Sequence, residues 1–512
     1  MLTKLFSAAV IGIDATEVEI EIHTGGSGEP SIIVVGLPDA IVRESKDRVI
    51  AAISNSGYKW PRTRTTVNLA PADIKKQGPN FDLPIALGMI ALANQATLPR
   101  LHHCYIAGEL ALTGEVRAIK GALPLTLEAR ARGKKAVLLP IANTREAAVV
   151  EGIEVYGIRT LREAYEFLSM QQELAAEEEN HDALLAEQLT FEVDFSEVKG
   201  QHQVKRAVEV AVAGGHNILL IGPPGSGKSM LARRIPSIMP PLSLEEALES
   251  TKIHSVCGLL DHGKPMISQR PFRDPHHTIS NVGLLGGSAA ITPGEISIAH
   301  HGVLFLDELP EFQRSTLEVL RQPLEDGKVT ISRAAGTMTF PAMFMLVAAM
   351  NPCPCGYYGD LKRECRCTPP QRERYRQRIS GPLLDRIDLH VEAPAIEYQE
   401  LVGKELAESS FQIRDRIIKA RKRQQERFSE STKTRCNARM NPRELRKYCN
   451  LTTEGDAIFK KAITDLNFSA RAYDRILKVA RTIADLSESE EIEKDHLLEA
   501  LSYRSLDRQL WQ

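Results

Sequence analysis

The apolar run Ile218-Leu219-Leu220-Ile221 leads directly into Gly222-Pro223-Pro224-Gly225-Ser226-Gly227-Lys228-Ser229, and a helix-forming stretch, Met230-Leu231-Ala232-Arg233-Arg234, follows at once. Strand, glycine-rich turn and helix in that order constrain the fold more than any other feature, because the unit belongs inside a parallel α/β sheet. The glycines let successive backbone N–H groups converge on one point, and the positive end of the following helix adds to the field there. Gly222 to Ser229 therefore form a cradle for the phosphates of a nucleoside triphosphate, with ATP and Mg²⁺ the expected cofactors. Lys228 is expected to reach the β- and γ-phosphates and Ser229 to give its hydroxyl to Mg²⁺.

Two further apolar runs end in polar residues of the matching kind. Gly302 to Leu306 ends in Asp307-Glu308, and Phe344 to Met350 ends in Asn351. Three buried strands that terminate in this way predict a parallel sheet with its site at the strand C-termini. Asp307 is expected to hold Mg²⁺ through water, Glu308 to orient the attacking water, and Asn351 to polarise that water from the other side. Hydrolysis follows as the expectation, not binding alone.

A chain of 512 residues is long enough for about three domains. Residues 1–170 alternate strand-like and helix-like segments: strands at Glu17–Ile22, Ser31–Val35, Thr65–Leu69, Tyr105–Gly108 and Ala136–Leu139, helices at Asp39–Ile53, Asp82–Ala93 and Leu123–Arg132. Residues 171–190 turn acidic and alanine-rich and are expected to form a solvated helical linker. A core follows at 191–394, then a helical, charged region at 395–512 that includes Arg414, Arg416, Lys419, Arg421, Lys422 and Arg423. Such a run of cations is a solvated helix face or a contact for nucleic acid. With a formal charge of −2, a nucleic-acid partner would have to be gripped by local patches, because the field of the whole chain does not attract it. No apolar run reaches the length of a membrane span, and the start Met-Leu-Thr-Lys-Leu-Phe lacks a signal-peptide pattern, so a cytoplasmic location without membrane contact is expected.

Cys104, Cys257, Cys436 and Cys449 stand alone, whereas Cys353-Pro354-Cys355 and Cys365-Arg366-Cys367 form two close pairs. In a reducing compartment four such thiolates suit a structural Zn²⁺ in a tetrahedral Cys₄ site. The Cys-x-Cys spacing is tighter than that of most zinc sites, which leaves free thiols or an iron–sulfur or redox role as alternatives. The cluster starts two residues after Asn351, so the metal would bear on that strand end.

Gly222 to Ser229, Gly302 to Phe312, Val347-Ala348-Ala349-Met350-Asn351-Pro352 and Ser380-Gly381-Pro382-Leu383-Leu384-Asp385-Arg386-Ile387-Asp388 together resemble the magnesium-chelatase-like AAA+ ATPases. Within that group the chain resembles the YifB/ComM family, over essentially its whole length. The resemblance implies a Lon-protease-like α/β domain at 1–170, an AAA+ parallel-sheet core at 191–394 and a C-terminal helical lid at 395–512. It also implies that Arg386 is an arginine finger acting in a neighbouring subunit and Arg471 a sensor arginine of the lid. If the two are structural instead, Asp385 or Asp388 would pair with Arg386, and Arg471 would be a helix-surface charge. A finger acting in trans needs a head-to-tail interface that closes into a homo-oligomeric ring, hexameric by family.

Lys328 to Arg333 and Thr337 to Phe340 read as alternating strands around the glycine-containing turn Ala334-Ala335-Gly336. In related ring helicases a hairpin at this place projects into the pore, which makes Lys328 and Arg333 candidate DNA contacts. Arg270 to His277 resembles a further insert of the clade, although either element could be an ordinary surface loop. His276 and His277, as neighbours, are expected to point apart. The Lon-like domain departs from its proteolytic relatives: Asn80 stands where they carry the nucleophile, and the stretch after Leu123-Pro124 is too short for the partner lysine, so a non-proteolytic platform is expected. The implied function is an ATP-driven DNA translocase that promotes branch migration in recombination or natural transformation. The alternative is a chelatase-like remodelling ATPase acting on a protein partner, ranked second because chelatase motor subunits lack this front domain.

Overall fold

The computed structural model describes residues 2–504 and 506 apart from 26–29, 180–189, 261–263, 288–290, 334–335, 361–362, 396–406, 432–433 and 467–469. Two compact units emerge: Met1–Glu187 with Leu244–Ser268, and Gln188–Ser243 with Gln269–Gln512.

The first unit begins with a pair of which the sequence patterns single out only the second strand, at Glu17–Ile22. Leu2–Ile11 (β1) and Asp14–Thr24 (β2) run antiparallel, and Leu5, Val18, Ile20 and Ile22 are fully buried. Ser31–Val35 (β3), Ala40–Asn55 (α1), Arg64–Ala70 (β4), Asp82–Ala93 (α2), Cys104–Ile106 (β5), Ala122–Ala131 (α3), Ala136–Pro140 (β6), Glu154–Ile158 (β7) and Leu161–Leu168 (α4) follow. The strands form one mixed sheet in the order β3-β4-β2-β1-β5-β6-β7. α2 is apolar around most of its circumference and is buried from Asp82 to Ala91, as a central helix must be. Gly88 lets it approach the sheet, since a Cβ there would lie 2.6 Å from Ile22 and 2.7 Å from Leu5.

Asn80 lies in the short turn Pro79–Phe81, largely buried, with its carbonyl accepting from Gly108 N at 3.0 Å. α3, Ala-Leu-Pro-Leu-Thr-Leu-Glu-Ala-Arg-Ala, carries no lysine. Neither half of a Ser-Lys dyad is therefore in place at these positions.

The acidic segment corrects an expectation. Its described part, 171–179, is not helical; it lies along the first unit, with Glu173 paired to Arg100 at 2.6 Å, Glu179 to Arg145 at 2.5 Å, and Glu177 N donating to Val155 O at 2.8 Å. Its carboxylates found arginines on the domain, which a free helix in solvent would not offer. The rest of the segment, 180–189, lies outside the described residues.

In the second unit His202–Gly214 (α5), Ile218–Ile221 (β8), Lys228–Ile238 (α6), Phe272–Arg273 (β9), Val303–Leu306 (β10), Arg321–Asp326 (α7), Lys328–Arg333 (β11), Gly336–Pro341 (β12), Met345–Met350 (β13), Pro369–Arg376 (α8), Leu389–Glu392 (β14), Ser410–Arg427 (α9), Ala470–Leu486 (α10) and Lys494–Ser502 (α11) are the main elements. Five strands make a wholly parallel sheet in the order β9-β10-β13-β8-β14. Leu219, Leu220, Phe305 and Val347 are fully buried, consistent with a sheet covered on both faces. The C-terminal helices share this core: Ile413, Ile417, Ile476, Ile483 and Leu497 join Val204, Val208, Ile218 and Leu231 in one cluster.

Three readings change in the light of this unit. The helix Leu244–Cys257, which falls in the 191–394 range, belongs to the first unit, where Gly121 N donates to Ser255 O at 3.2 Å. Arg270 to His277 is not a projecting insert, because Phe272–Arg273 is the edge strand β9; Arg270 donates to Pro240 O and His301 O, and Arg273 makes a bidentate pair with Glu295. The basic stretch of α9 is largely spent on structure: Arg416 pairs with Glu209 and Glu408, Arg414 donates to Ser237 O, Arg421 to Val212 O, and Lys419 pairs with Asp415.

Candidate functional site

The glycine loop leaves β8 and enters α6, with Gly225 at φ 81° and Gly227 at φ 83°, conformations that side chains disfavour. Gly222 is required for space, since a Cβ there would meet Ala393 O at 2.0 Å. Ser226 is fully buried in the loop. The Lys228 ammonium folds over it and donates to Gly222 O at 2.7 Å and Pro223 O at 2.9 Å, with Ser226 Oγ and Asn351 Oδ1 each at 3.4 Å. Burial pushes this lysine down to about 8, although the Asp307 carboxylate opposes the shift.

Ser229 Oγ donates to Asp307 Oδ2 at 2.6 Å, which brings together the two side chains expected to serve Mg²⁺. Asp307 Oδ1 accepts from Glu308 N at 2.9 Å. Glu308 is held at φ 51°, ψ 46°, a left-handed conformation uncommon outside glycine, and its carboxylate is 56% exposed. Hydroxyl, carboxylates and amide thus converge at the C-terminal ends of β8, β10 and β13, where a parallel sheet presents its ligand site.

Two neighbours were not legible in the sequence as site residues. His277 Nδ1 lies 3.5 Å from Glu308 Oε2, and its ring lies against His276 at a tilt of 33° with centroids 4.1 Å apart, so the pair does not diverge as expected. Asp274, just beyond β9, pairs with Arg233 at 3.1 Å; burial, with the charge of Asp307 adding to it, holds its carboxyl above the usual range despite that arginine. The strand-end pattern that exposes Asp307 would have exposed Asp274 too, but β9 has only two residues and gives no apolar run.

The four clustered cysteines meet. Cys353 Sγ lies 3.4 Å from Cys355 Sγ and 3.7 Å from Cys365 Sγ, Cys355 Sγ lies 3.7 Å from Cys365 Sγ, and all four sulfurs fall within 4.8 Å of one another. A Zn–S bond of about 2.3 Å gives a tetrahedron with sulfur–sulfur edges of about 3.8 Å, so the donor set fits. The cluster also touches the phosphate loop: a Cβ on Gly356, at φ 86°, would lie 2.6 Å from Pro224 Cδ.

The remaining candidates make no hydrogen bond or ion pair with the phosphate loop among the described residues. Arg386 is 6% exposed and pairs with Glu325 at 2.5 Å, not with Asp385 or Asp388. Asp388 is taken by Arg475 and by His216, whose Nδ1 is 3.2 Å away and whose Nε2 is 2.8 Å from Thr482 Oγ1. Arg471 is exposed in the first turn of α10, and Ser469 before it lies outside the described residues. Lys328 and Arg333 are exposed on β11, the antiparallel partner of β12, with the turn residues 334–335 outside the described set.

A phosphate loop between β8 and α6, with an acidic pair closing β10, separated from β8 by β13 alone in an all-parallel sheet, defines a P-loop nucleoside triphosphatase. Three family descriptions match the chain: "Magnesium chelatase, subunit ChlI" over residues 194–401, "Subunit ChlI of Mg-chelatase" over 18–143 and "Magnesium chelatase, subunit ChlI C-terminal" over 407–504. The "Uncharacterized protein YifB" of Escherichia coli is 43% identical over 511 residues, covering 99% of this chain and 98% of that protein. The "Competence protein ComM" of Haemophilus influenzae is 42% identical over 513 residues with the same coverage. The chain belongs to the YifB/ComM family of magnesium-chelatase-like AAA+ proteins. A 30% identity over 154 residues to "Lon protease 2" of Bacillus subtilis accounts for the Lon-like N-terminal region.

Membership of this AAA+ family implies ATP with Mg²⁺. Here the chain's own residues would hold them: backbone N–H groups of 225–229 and the Lys228 ammonium on the phosphates, Ser229 and Asp307 on the cation. Lys228 then yields a pH prediction. Near pH 8 about half of the ligand-free sites hold a neutral lysine, and a triphosphate restores its charge. Calorimetry in buffers of different ionisation enthalpy should record uptake of about 0.5 proton per ATP near pH 8, rising towards one near pH 9 and vanishing towards pH 7. Proton release, or uptake independent of pH, would contradict the assignment.

Proposed function

We propose that this chain is the subunit of an ATP-hydrolysing ring motor acting on DNA, a branch-migration helicase or translocase used in recombination or in natural transformation. The hairpin β11–β12 carries this reading. One of its faces is apolar, with Val329, Ile331 and Phe340 buried. The other presents hydroxyls in cross-strand pairs, Thr330 with Thr339 at 3.1 Å and Ser332 with Thr337 at 3.0 Å, beside the exposed Lys328, while Arg333, exposed at the strand end, alternates onto the side of Val329 and Ile331. Hydroxyls and cations without base-reading amides suit a phosphate backbone and carry no sequence preference. The name of the Haemophilus relative, a competence protein, supports the same occasion of use. A cytoplasmic location fits this reading, and among the described residues no helix is long and apolar enough to cross a membrane.

ATPase and strand-displacement assays on forked and four-way DNA test it. DNA is expected to stimulate hydrolysis, and Lys328→Ala with Arg333→Ala to flatten the salt dependence of DNA binding by about two counterions. A ring that is assembled yet neither binds DNA nor responds to it rejects the reading. That result would favour a chelatase-like remodelling ATPase with a protein partner, to which the chelatase descriptions of all three segments lend weight.

Zinc in the Cys353, Cys355, Cys365, Cys367 site completes the proposal. Its role is structural, bracing the loop that packs on Pro224. Metal analysis is expected to find about one zinc per chain, lost in Cys353→Ser, with a fall in hydrolysis of about tenfold to a hundredfold as the phosphate loop loses its support. Wild-type protein purified without metal and fully active would exclude it.

A further inference from the structure

Arg386 follows the short helix Gly381–Leu384 and precedes β14. Its Nη1 donates to Pro382 O at 2.6 Å, its Nη2 lies 2.5 Å from Glu325 Oε1, and its Nε is buried with no hydrogen-bond partner among the described residues. The pair is lopsided. The arginine side chain is 7% exposed and has given up its water, whereas Glu325 is 53% exposed and keeps much of its own. A desolvated guanidinium with one orphan N–H and a single carboxylate oxygen is underprovided, and a phosphate with several anionic oxygens would serve it better.

The partner's place in the chain gives the contact its meaning. Glu325 is the penultimate residue of α7, and only Asp326 and Gly327 separate it from Lys328, the first residue of the hairpin. Gly327 caps α7 in the left-handed region at φ 66°, donates to Pro323 O at 2.9 Å, and accepts from Ala342 N at 2.8 Å just beyond the end of β12. Both hairpin strands therefore converge on this one joint. Arg439 steadies it from the C-terminal side by donating to Leu324 O at 3.0 Å.

We propose that Glu325 is the positioning residue of Arg386 and ties that arginine to the hairpin. The inference rests on the reading of Arg386 as acting in a neighbouring subunit. While the neighbour's site holds no triphosphate, Glu325 keeps the guanidinium. A γ-phosphate there takes the guanidinium over, Glu325 loses its partner, and the α7–Gly327–β11 joint is released. Linkage makes the coupling reciprocal: a load that shifts the hairpin frees Arg386 for the neighbour, which is a physical route from DNA to hydrolysis.

Glu325→Gln preserves the shape and removes the charge. In the full-length assembled ring it is expected to raise the DNA-free kcat about fivefold, the factor that corresponds to an ion pair of about 1 kcal/mol, with KM for ATP within about twofold. The stimulation by DNA should shrink by the same factor, and Glu325→Asp, which keeps the charge, should recover most of it. In an Arg386→Ala background, followed by single-turnover hydrolysis, Glu325→Gln should have no effect, because the partner it restrains is gone. An equal effect in that background, or a DNA-free kcat that is unchanged or lower with the ring intact, overturns the proposal. Mixed rings separate the two readings. If Arg386→Ala with Lys228→Ala subunits recover no hydrolysis, the trans role fails and Glu325 with it; recovery alongside an additive double mutant removes Glu325 alone.

Discussion

Glu308→Gln is expected to bind ATP within about twofold of the wild type and to hydrolyse it roughly 10²- to 10⁴-fold more slowly. Asp307 accepts a hydrogen bond from Ser229, whereas the Glu308 carboxylate is 56% exposed, and in the proposed role it would take the proton of the attacking water. An amide has the same shape and cannot take that proton. The left-handed backbone at Glu308 is retained in the variant, since Gln meets the same steric conditions there. Fluorescent-nucleotide titration alongside a phosphate-release assay separates the two effects. A loss of affinity as large as the loss of rate would show that Glu308 serves binding.

Arg386→Ala is expected to cost roughly 10³-fold or more in kcat, because in its proposed role as a finger it meets charge that develops only as the γ-phosphate departs. The guanidinium in this structure is held by Glu325. Rings mixed from Arg386→Ala and Lys228→Ala subunits should therefore regain activity at interfaces where an intact phosphate loop faces an intact arginine. Co-assembly must be verified by mass measurement. Recovery absent from proven mixed rings would reassign Arg386 to the interior of its own subunit, where its buried Nε already lacks a partner.

Much of the site was legible because its parts are short and local. Gly222 to Ser229 carry their own turn geometry, Asp307 and Asn351 close apolar runs of strand length, and the Cys-x-Cys pairs stand together in the chain. Where the signal depended on length it faded: β9 is too short to read, so Asp274 and His277 went unassigned, and β1 was passed over because its pattern mixes buried and half-buried residues. Charge runs misled for the opposite reason. The acidic tract at 171–179 and the basic tract of α9 look solvated along the sequence, yet the fold supplies each with opposite charges or carbonyls far away in the chain.

The sequence by itself determined which groups the candidate site offers: a glycine-rich loop with its lysine and serine, an Asp-Glu pair closing an apolar run, and four thiols able to share one metal. These are properties of contiguous residues, set by backbone preference and side-chain type, and they hold in any fold that contains them. Only the tertiary structure decided the partnerships. That the Cys₄ loop leans on Pro224, that residues 244–268 fold with the first unit, that Asp388 belongs to His216 and Arg475, and that Arg386 rests on Glu325 at the root of the hairpin are facts about distant segments. A charge buried on folding must take whichever partner the packing brings within reach, and that choice is made by the whole core at once.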